Sequence, residues 1–263
     1  MRPLYDPFGR PLSLPHPPQR IVSLVPSQTE LLYDLGLRDE VAGITKFCIH
    51  PDEWFRGKTR VGGTKTVHAD RVAALQPDLV LANKEENVRE QVEALAQDYA
   101  TWVSDIETLD DALDMIRSIG ALVHRAREAE IIARKIRGRF DRLEPVQGPK
   151  KRAGYLIWKD PYMSVGHDTF IHHMLGYLGV ENAFADRGRY PEVSIEDLQG
   201  CDVILLSSEP YPFAEKHVEE LLQAVPGAAV ALVDGELFSW YGSRLLHTPP
   251  YFRNLRTAIA GID

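Results

Sequence analysis

Three lysines each stand just beyond a short apolar run. Lys46 follows Val41-Ala42-Gly43-Ile44, Lys65 follows Arg60-Val61-Gly62-Gly63, and Lys84 follows Leu79-Val80-Leu81-Ala82. Such runs are strand-like. Strands of a parallel sheet end on a common edge, where the loops form the ligand crevice of open α/β sheets. The three cations are therefore expected at one crevice. Holding like charges together is unfavourable unless an anion or neighbouring carboxylates compensate them. The expected chemistry is capture of an anionic or metal-chelate ligand.

Around these lysines, Thr45, His50, Thr64 and Glu85 complete the candidate site in the first half of the chain. His50, before Pro51, is a candidate axial ligand for a metal chelate; as a loop histidine it equally suits a hydrogen-bonding role. His68 is a weaker candidate of the same kind. Glu85 and Glu86 also fit a capping pattern on Asn83. The adjacent pair His172-His173 sits in a helical stretch, where neighbours point apart and make no ligand pair. In the second half, aromatic residues follow strand-like runs: Trp158 and Tyr162, then Tyr211 and Phe213, then Phe238, Trp240 and Tyr241. Trp240-Tyr241-Gly242-Ser243-Arg244 mixes flat rings with a planar cation, as recognition of a flat ligand requires. Arg244 is the expected anion clamp of this half.

These residues need a scaffold. The 263 residues suffice for one large domain or two modest lobes. A net charge of -8 argues against general nucleic-acid binding but leaves room for a local basic pocket. Two cysteines, Cys48 and Cys201, lie too far apart in sequence for a disulfide framework or CxxC knuckle; Cys201 reads as a buried small hydrophobe, and Cys48 suits the same role or that of a pocket thiol. Met1 to Asp6 lacks the apolar stretch of an export signal, and no run is long and apolar enough to cross a bilayer. On that reading the chain stays in the cytoplasm or has been trimmed.

Tyr5 to Leu12 reads as a small hairpin, and Pro15, Pro17 and Pro18 lead into a core strand at Arg20 to Val25. Ser27-Gln28-Thr29-Glu30 has the spacing of a capping box opening a helix that Gly36 stops. Strand-like and helical runs then alternate to Val103, the signature of a parallel α/β layer. From Leu109 to Leu143 there is no proline, and apolar residues recur at near-helical spacing. As one helix this stretch would be roughly 50 Å long, a rod between two lobes. A linker at 145–151 precedes a second alternation, closed by an amphipathic helix from Pro249 to Ile262. The expected fold class is α/β, with two lobes built on mainly parallel sheets, one long backbone helix between them and a ligand cleft at the lobe interface. The expected division is an N-terminal lobe at 1–107, the connecting helix at 108–144 and a C-terminal lobe at 145–263.

Several segments carry a family resemblance. They are Arg20-Ile21-Val22-Ser23-Leu24-Val25-Pro26-Ser27-Gln28-Thr29-Glu30-Leu31, Ala73-Ala74-Leu75-Gln76-Pro77-Asp78-Leu79-Val80-Leu81, the long middle helical stretch, and Asp202-Val203-Ile204-Leu205-Leu206. Together they cover nearly the whole chain. It resembles the helix-linked periplasmic substrate-binding proteins of ABC importers, which receive cobalamin, haem and ferric siderophores, and is most similar to the cobalamin-binding type. The resemblance implies a binding protein rather than an enzyme, monomeric, with no covalent cofactor. It implies a corrinoid, haem or siderophore chelate as ligand, and the periplasm or cell envelope as location. It also implies a permease partner docked through a carboxylate on each lobe, which matches Asp70 ahead of Arg71-Val72-Ala73-Ala74-Leu75 and Glu196 in Ser194-Ile195-Glu196-Asp197-Leu198. Both acids equally suit the first turn of a helix, where the dipole favours negative charge.

Two other readings compete. Direct metal-ion binding would use His50, His68 and nearby acids, although the sequence holds no compact ligand cluster. A cytosolic sensor or enzyme for an anionic metabolite would use the same lysines. Against it, there is no GxSxG, no phosphate-binding glycine loop and no nucleophile-base pair at recognisable spacing.

Overall fold

The computed structural model describes residues 4–12, 14 and 16–260. Met1 to Pro3, Pro15 and Ile262, which the sequence reading touched, lie outside the described residues. The chain divides into two compact units. One comprises Met1–Ile106, Asp110–Ile136 and Tyr241–Arg244; the other comprises Glu107–Leu109, Arg137–Trp240 and Leu245–Asp263.

In the first unit, a two-stranded hairpin of β1 (Leu4–Tyr5) and β2 (Pro11–Leu12) precedes the main sheet. Then come β3 (Ile21–Ser23), α1 (Pro26–Asp34), β4 (Val41–Ile44), α2 (Asp52–Gly57), β5 (Thr59–Arg60), α3 (Ala69–Leu75), β6 (Leu79–Asn83), α4 (Arg89–Asp98) and β7 (Thr101–Ser104). The sheet order is β5-β4-β3-β6-β7 and every pairing is parallel. β3 and β6 are buried along their whole length. A parallel strand covered on both faces must read as a continuous apolar run, which is why both were visible in the sequence. Val22, Val80, Ala82 and Val103 of the sheet pack with Val72 of α3 and with Val92 and Leu95 of α4.

The start of α1 departs from expectation. Pro26 occupies its first turn, its N-cap is Val25, and no side chain caps it. Proline at that position is pre-organised for the helix and lacks the amide that a cap would satisfy. Ser27 is thus already inside the helix, no capping box forms there, and Glu30 is available for another partner.

The stretch read as a single rod is two helices, α5 (Leu109–Leu122) and α6 (Ala126–Phe140). His124 takes a left-handed conformation at φ 57°. The Arg125 amide donates back to the Gly120 carbonyl at 2.7 Å. This is the six-to-one bond of a Schellman ending, with histidine where glycine is usual. Gly120 then permits close packing: a Cβ there would lie 2.2 Å from the Ala129 Cβ and 3.1 Å from the Arg125 carbonyl. Gly120→Val is expected to destabilise the protein by about 1–3 kcal/mol through overpacking. Urea unfolding measures this. The companion change Ala129→Gly should recover part of the loss, and no recovery would show that Gly120 acts otherwise.

The second unit holds β8 (Arg152–Leu156), α7 (Phe170–Leu178), β9 (Glu181–Asn182), α8 (Ile195–Leu198), β10 (Val203–Ser207), α9 (Glu215–Ala224), β11 (Ala229–Val233), α10 (Glu236–Ser239) and α11 (Thr248–Ala260). Its sheet runs β11-β10-β8-β9, again parallel throughout. Leu156, Ile204, Leu206 and Val230 of the strands pack with Phe184, Leu198, Phe213 and Leu221. Thus both sheets are parallel layers of an α/β fold. Among the described residues no helix is long and apolar enough to cross a membrane.

Candidate ligand-binding site

The carboxyl edge of the first sheet carries the three lysines. Lys46 lies two residues beyond β4, Lys65 on the loop after β5, and Lys84 directly after β6. All three are exposed. Each is steered by a neighbour. The Lys46 Nζ lies 4.9 Å from the centre of the Phe47 ring, a cation–π distance. The Lys65 Nζ donates to the Glu85 carbonyl, and the Lys84 Nζ pairs with Asp105 at 2.6 Å.

Beneath this edge a buried polar network fixes the loops. Asn87 Nδ2 donates to the carbonyls of Leu24 and Thr64, at 3.3 and 3.0 Å, joining the loops after β3 and β5. The Asn83 amide donates to Asn87 Oδ1, and Asn83 Nδ2 donates to the Ser104 carbonyl and hydroxyl. Gln28 Nε2 of α1 reaches the same hydroxyl at 2.7 Å. Asn83 Oδ1 accepts from the amides of Glu85 and Glu86, so the capping pattern seen in the sequence closes a turn rather than a helix end. Buried hydrogen-bond networks rigidify what they join. This one holds the loops that carry Lys65 and Lys84. Its sequence signal was the pair of asparagines four apart, Asn83 and Asn87.

Phe47 and Ile49 were missed by the sequence reading. They are 50% and 41% exposed on the β4 loop, between Lys46 and His50. Large apolar side chains exposed beside cations form a surface for an amphipathic ligand. Two apolar residues inside a loop were the signal. Thr45 requires correction: it is fully buried, and its hydroxyl bonds the Cys48 sulfur at 3.2 Å. Thr29 donates to the same sulfur at 3.1 Å. Burial pushes the Cys48 thiol above its ordinary pKa, so it is packing rather than a pocket nucleophile. Cys201 is likewise buried.

Among the described residues, no three His, Cys, Asp or Glu side chains gather into a group that could hold a metal ion. Direct ion binding at His50 therefore lacks the co-ligands it needs.

On the second unit, Trp158 follows β8, is 41% exposed, and meets Tyr211 edge-on at 5.6 Å. Tyr162 stands nearby in sequence with its hydroxyl 3.1 Å from Glu220. Burial, reinforced by that carboxylate, pushes its pKa up to about 12. Lys159 pairs with the same glutamate.

The remaining aromatic candidates need correcting. Trp240 and Tyr241 are 6% and 5% exposed, and Trp240 Nε1 donates to Glu209 Oε1 at 3.0 Å. They are interior side chains, not a platform for a flat ligand. Arg244 is no anion clamp either. Its Nε and a terminal nitrogen meet both oxygens of Glu30 at 2.8 and 2.7 Å, and both side chains are largely shielded. Bidentate pairing of this kind already supplies the planar anion the guanidinium suits.

Burial raises the Glu209 carboxyl pKa, against the lowering effect of hydrogen bonds from Ser239 and Trp240. The folded state therefore binds this proton more tightly than the unfolded one. Stability contributed by the group is present in acid and is lost as pH rises through the raised value. Glu209→Gln retains an acceptor oxygen but cannot ionise. Its melting temperature relative to wild type is expected to rise as pH increases upward from the ordinary carboxylate pKa of about 4. A difference that does not change with pH would exclude this effect.

The periplasmic binding protein family profile matches residues 21–228. The chain belongs to the periplasmic binding protein family. A vitamin B12-binding protein of Pectobacterium carotovorum subsp. carotovorum (strain PC1) is 27% identical over 237 residues, spanning 87% of this chain and 85% of that protein. An uncharacterized ABC transporter substrate-binding lipoprotein, YvrC of Bacillus subtilis (strain 168), is 26% identical over 202 residues, spanning 73% and 63%. The crystal structure of the periplasmic vitamin B12-binding protein BtuF of Vibrio cholerae is similar in fold. Its TM-score is 0.74 at 23% identity, covering 94% of this chain and 100% of that one. Within a periplasmic binding protein, loops at strand carboxyl ends are where a small ligand is expected, and the exposed lysines, Phe47 and Trp158 occupy such loops.

Proposed function

We propose that this periplasmic binding protein is the substrate-binding component of an ABC importer and that it captures a corrinoid without transforming it. The observation that carries the reading is the conjunction of Lys46, Lys65, Phe47 and Ile49 on one sheet edge. Apolar contact suits the body of a metal chelate, and the cations suit its acidic groups. Relatives named for vitamin B12 and for ABC transport support the choice of ligand and of system. Trp158 with Tyr211 is proposed as a ligand surface in its own right on the second unit. The place of action is the periplasm or the cell envelope.

Thermal unfolding with cyanocobalamin, haemin and a ferric hydroxamate siderophore tests this. A ligand at 100 times its Kd stabilises the folded state by about 2.7 kcal/mol, enough to raise the melting temperature by several degrees. Cyanocobalamin is expected to give the largest shift. A larger shift with haemin or the siderophore reassigns the ligand, and no shift with any of the three removes the proposal.

Delivery is assigned to Asp70 and Glu196. Both are exposed in the first turns of α3 and α8, and α8 is held by a capping box between Ser194 and Asp197. Charge at the rim of an interface governs encounter and partner choice more than the ligand site. Asp70→Lys with Glu196→Lys is expected to cut corrinoid uptake by cells at least about tenfold, with Kd for the ligand unchanged. Undiminished uptake would remove the docking assignment.

A further inference from the structure

The first unit contains a cavity of about 360 Å³. It lies among the hairpin, the N-terminal part of α4 and the ends of β6 and β7. Phe8, Val92 and Val103 supply its apolar lining. Three cations, Arg10, Lys84 and Arg89, and one carboxylate, Glu93, supply its charge.

Each cation is held in place by its own carboxylate. Asp6 is buried and accepts from Arg10 Nε at 2.7 Å, and its other oxygen accepts from the amides of Phe8 and Arg10. Asp105 holds Lys84, and Glu93 takes Arg89 Nε at 2.6 Å. These contacts use only part of each donor set. An arginine has five N–H donors and a lysine three, with no acceptor on either. The neutral polar lining residues, Asn83 and Asn87, are committed to the network beneath the loops and serve as wall. With the Glu93 carboxylate engaged by Arg89, the remaining polar character of the cavity is mainly donating, facing an apolar interior. A volume of this size is within the range of small-molecule sites.

We propose that this cavity is a second ligand site, separate from the exposed apolar surface of the β4 loop, and that it takes a small amphipathic anion with an apolar body and a single oxyanion head. The body sits against Phe8, Val92 and Val103, and the head is met by Arg10 and Arg89. Lys84 borders both sites, so a ligand here also sets how that lysine is presented at the strand edge.

The test uses the full chain and 1-anilinonaphthalene-8-sulfonate, an aryl sulfonate that fluoresces when shielded from water. One equivalent is expected to bind, displaced by octanoate but not by octylamine at equal concentration. Val92→Trp fills the cavity and is expected to weaken probe binding at least tenfold. Arg10→Ala with Arg89→Ala, made together with Asp6→Asn so that no buried carboxylate loses its partner, should do the same through the head group. The two arginine side chains are 43% and 82% exposed, so this variant tests the site even if the tryptophan variant does not fold. Lys84 is left intact. The cyanocobalamin thermal shift of the arginine variant should match wild type. Probe affinity unchanged in the arginine variant, or displacement by octylamine as readily as by octanoate, overturns the proposal.

Discussion

Replacing Lys46 and Lys65 together by alanine is expected to weaken corrinoid binding at least about 100-fold while leaving the fold intact. A hydrogen bond to a charged group contributes about 1.5–3 kcal/mol, so two of them lost together correspond to a hundredfold or more. Both lysines are exposed, and among the described residues neither is paired to a carboxylate as Lys84 is to Asp105. Lys65 meets a backbone carbonyl and Lys46 an aromatic face, contacts that water can replace at the surface. Surface changes of this kind normally alter stability by less than about 0.5 kcal/mol. Titration of the double variant by equilibrium dialysis, beside its melting temperature, separates the two effects. Wild-type affinity in a folded double variant would move the ligand away from this edge. A single Lys84→Ala change is a poorer test, because it also leaves Asp105 without its partner.

The second large effect is structural. Glu30→Ala or Arg244→Ala alone is expected to destabilise the protein by about 3 kcal/mol, the lower end of the range for breaking a buried pair, since both side chains keep slight exposure. The survivor in either case is a shielded charge that has lost a two-pronged partner. The double variant should be less destabilised than the sum of the singles, with a coupling of roughly 1–3 kcal/mol. A coupling near zero from chemical unfolding of the four proteins would mean that the two residues act independently. Gly242 makes this contact close: a Cβ there would stand 2.4 Å from the Ser27 carbonyl of α1. Ligand affinity of the folded Arg244→Ala protein distinguishes the pairing from the anion clamp that the sequence suggested.

Arg244 illustrates what a sequence withholds. Its partner is 214 positions away, and no local spacing announces such a pair. Trp240 and Tyr241 looked like a recognition platform because aromatic residues after a strand serve either surface or core; burial chose core. The strands were legible because parallel strands covered on both faces leave uninterrupted apolar runs. The common edge of the lysines followed from that directly. The break between α5 and α6 was not legible, since His124 adopts a conformation that glycine usually marks, and apolar spacing continues across it. Pro26 was legible in principle: proline at the first helical position overrides the Ser27 to Glu30 spacing as a start signal. Phe47 and Ile49 escaped because apolar residues in a loop serve packing or surface alike, and only their exposure shows which.

Tyr241 to Arg244 belong with the first unit although Trp240 and Leu245, on either side, belong with the second. A gene fragment ending at Ile136 would therefore encode an α1 whose Glu30 has no counter-ion and whose Ser27 turn has lost its cover. Dissecting this chain into halves for separate expression requires grafting the four-residue return back onto the first half, or neutralising Glu30 in its place.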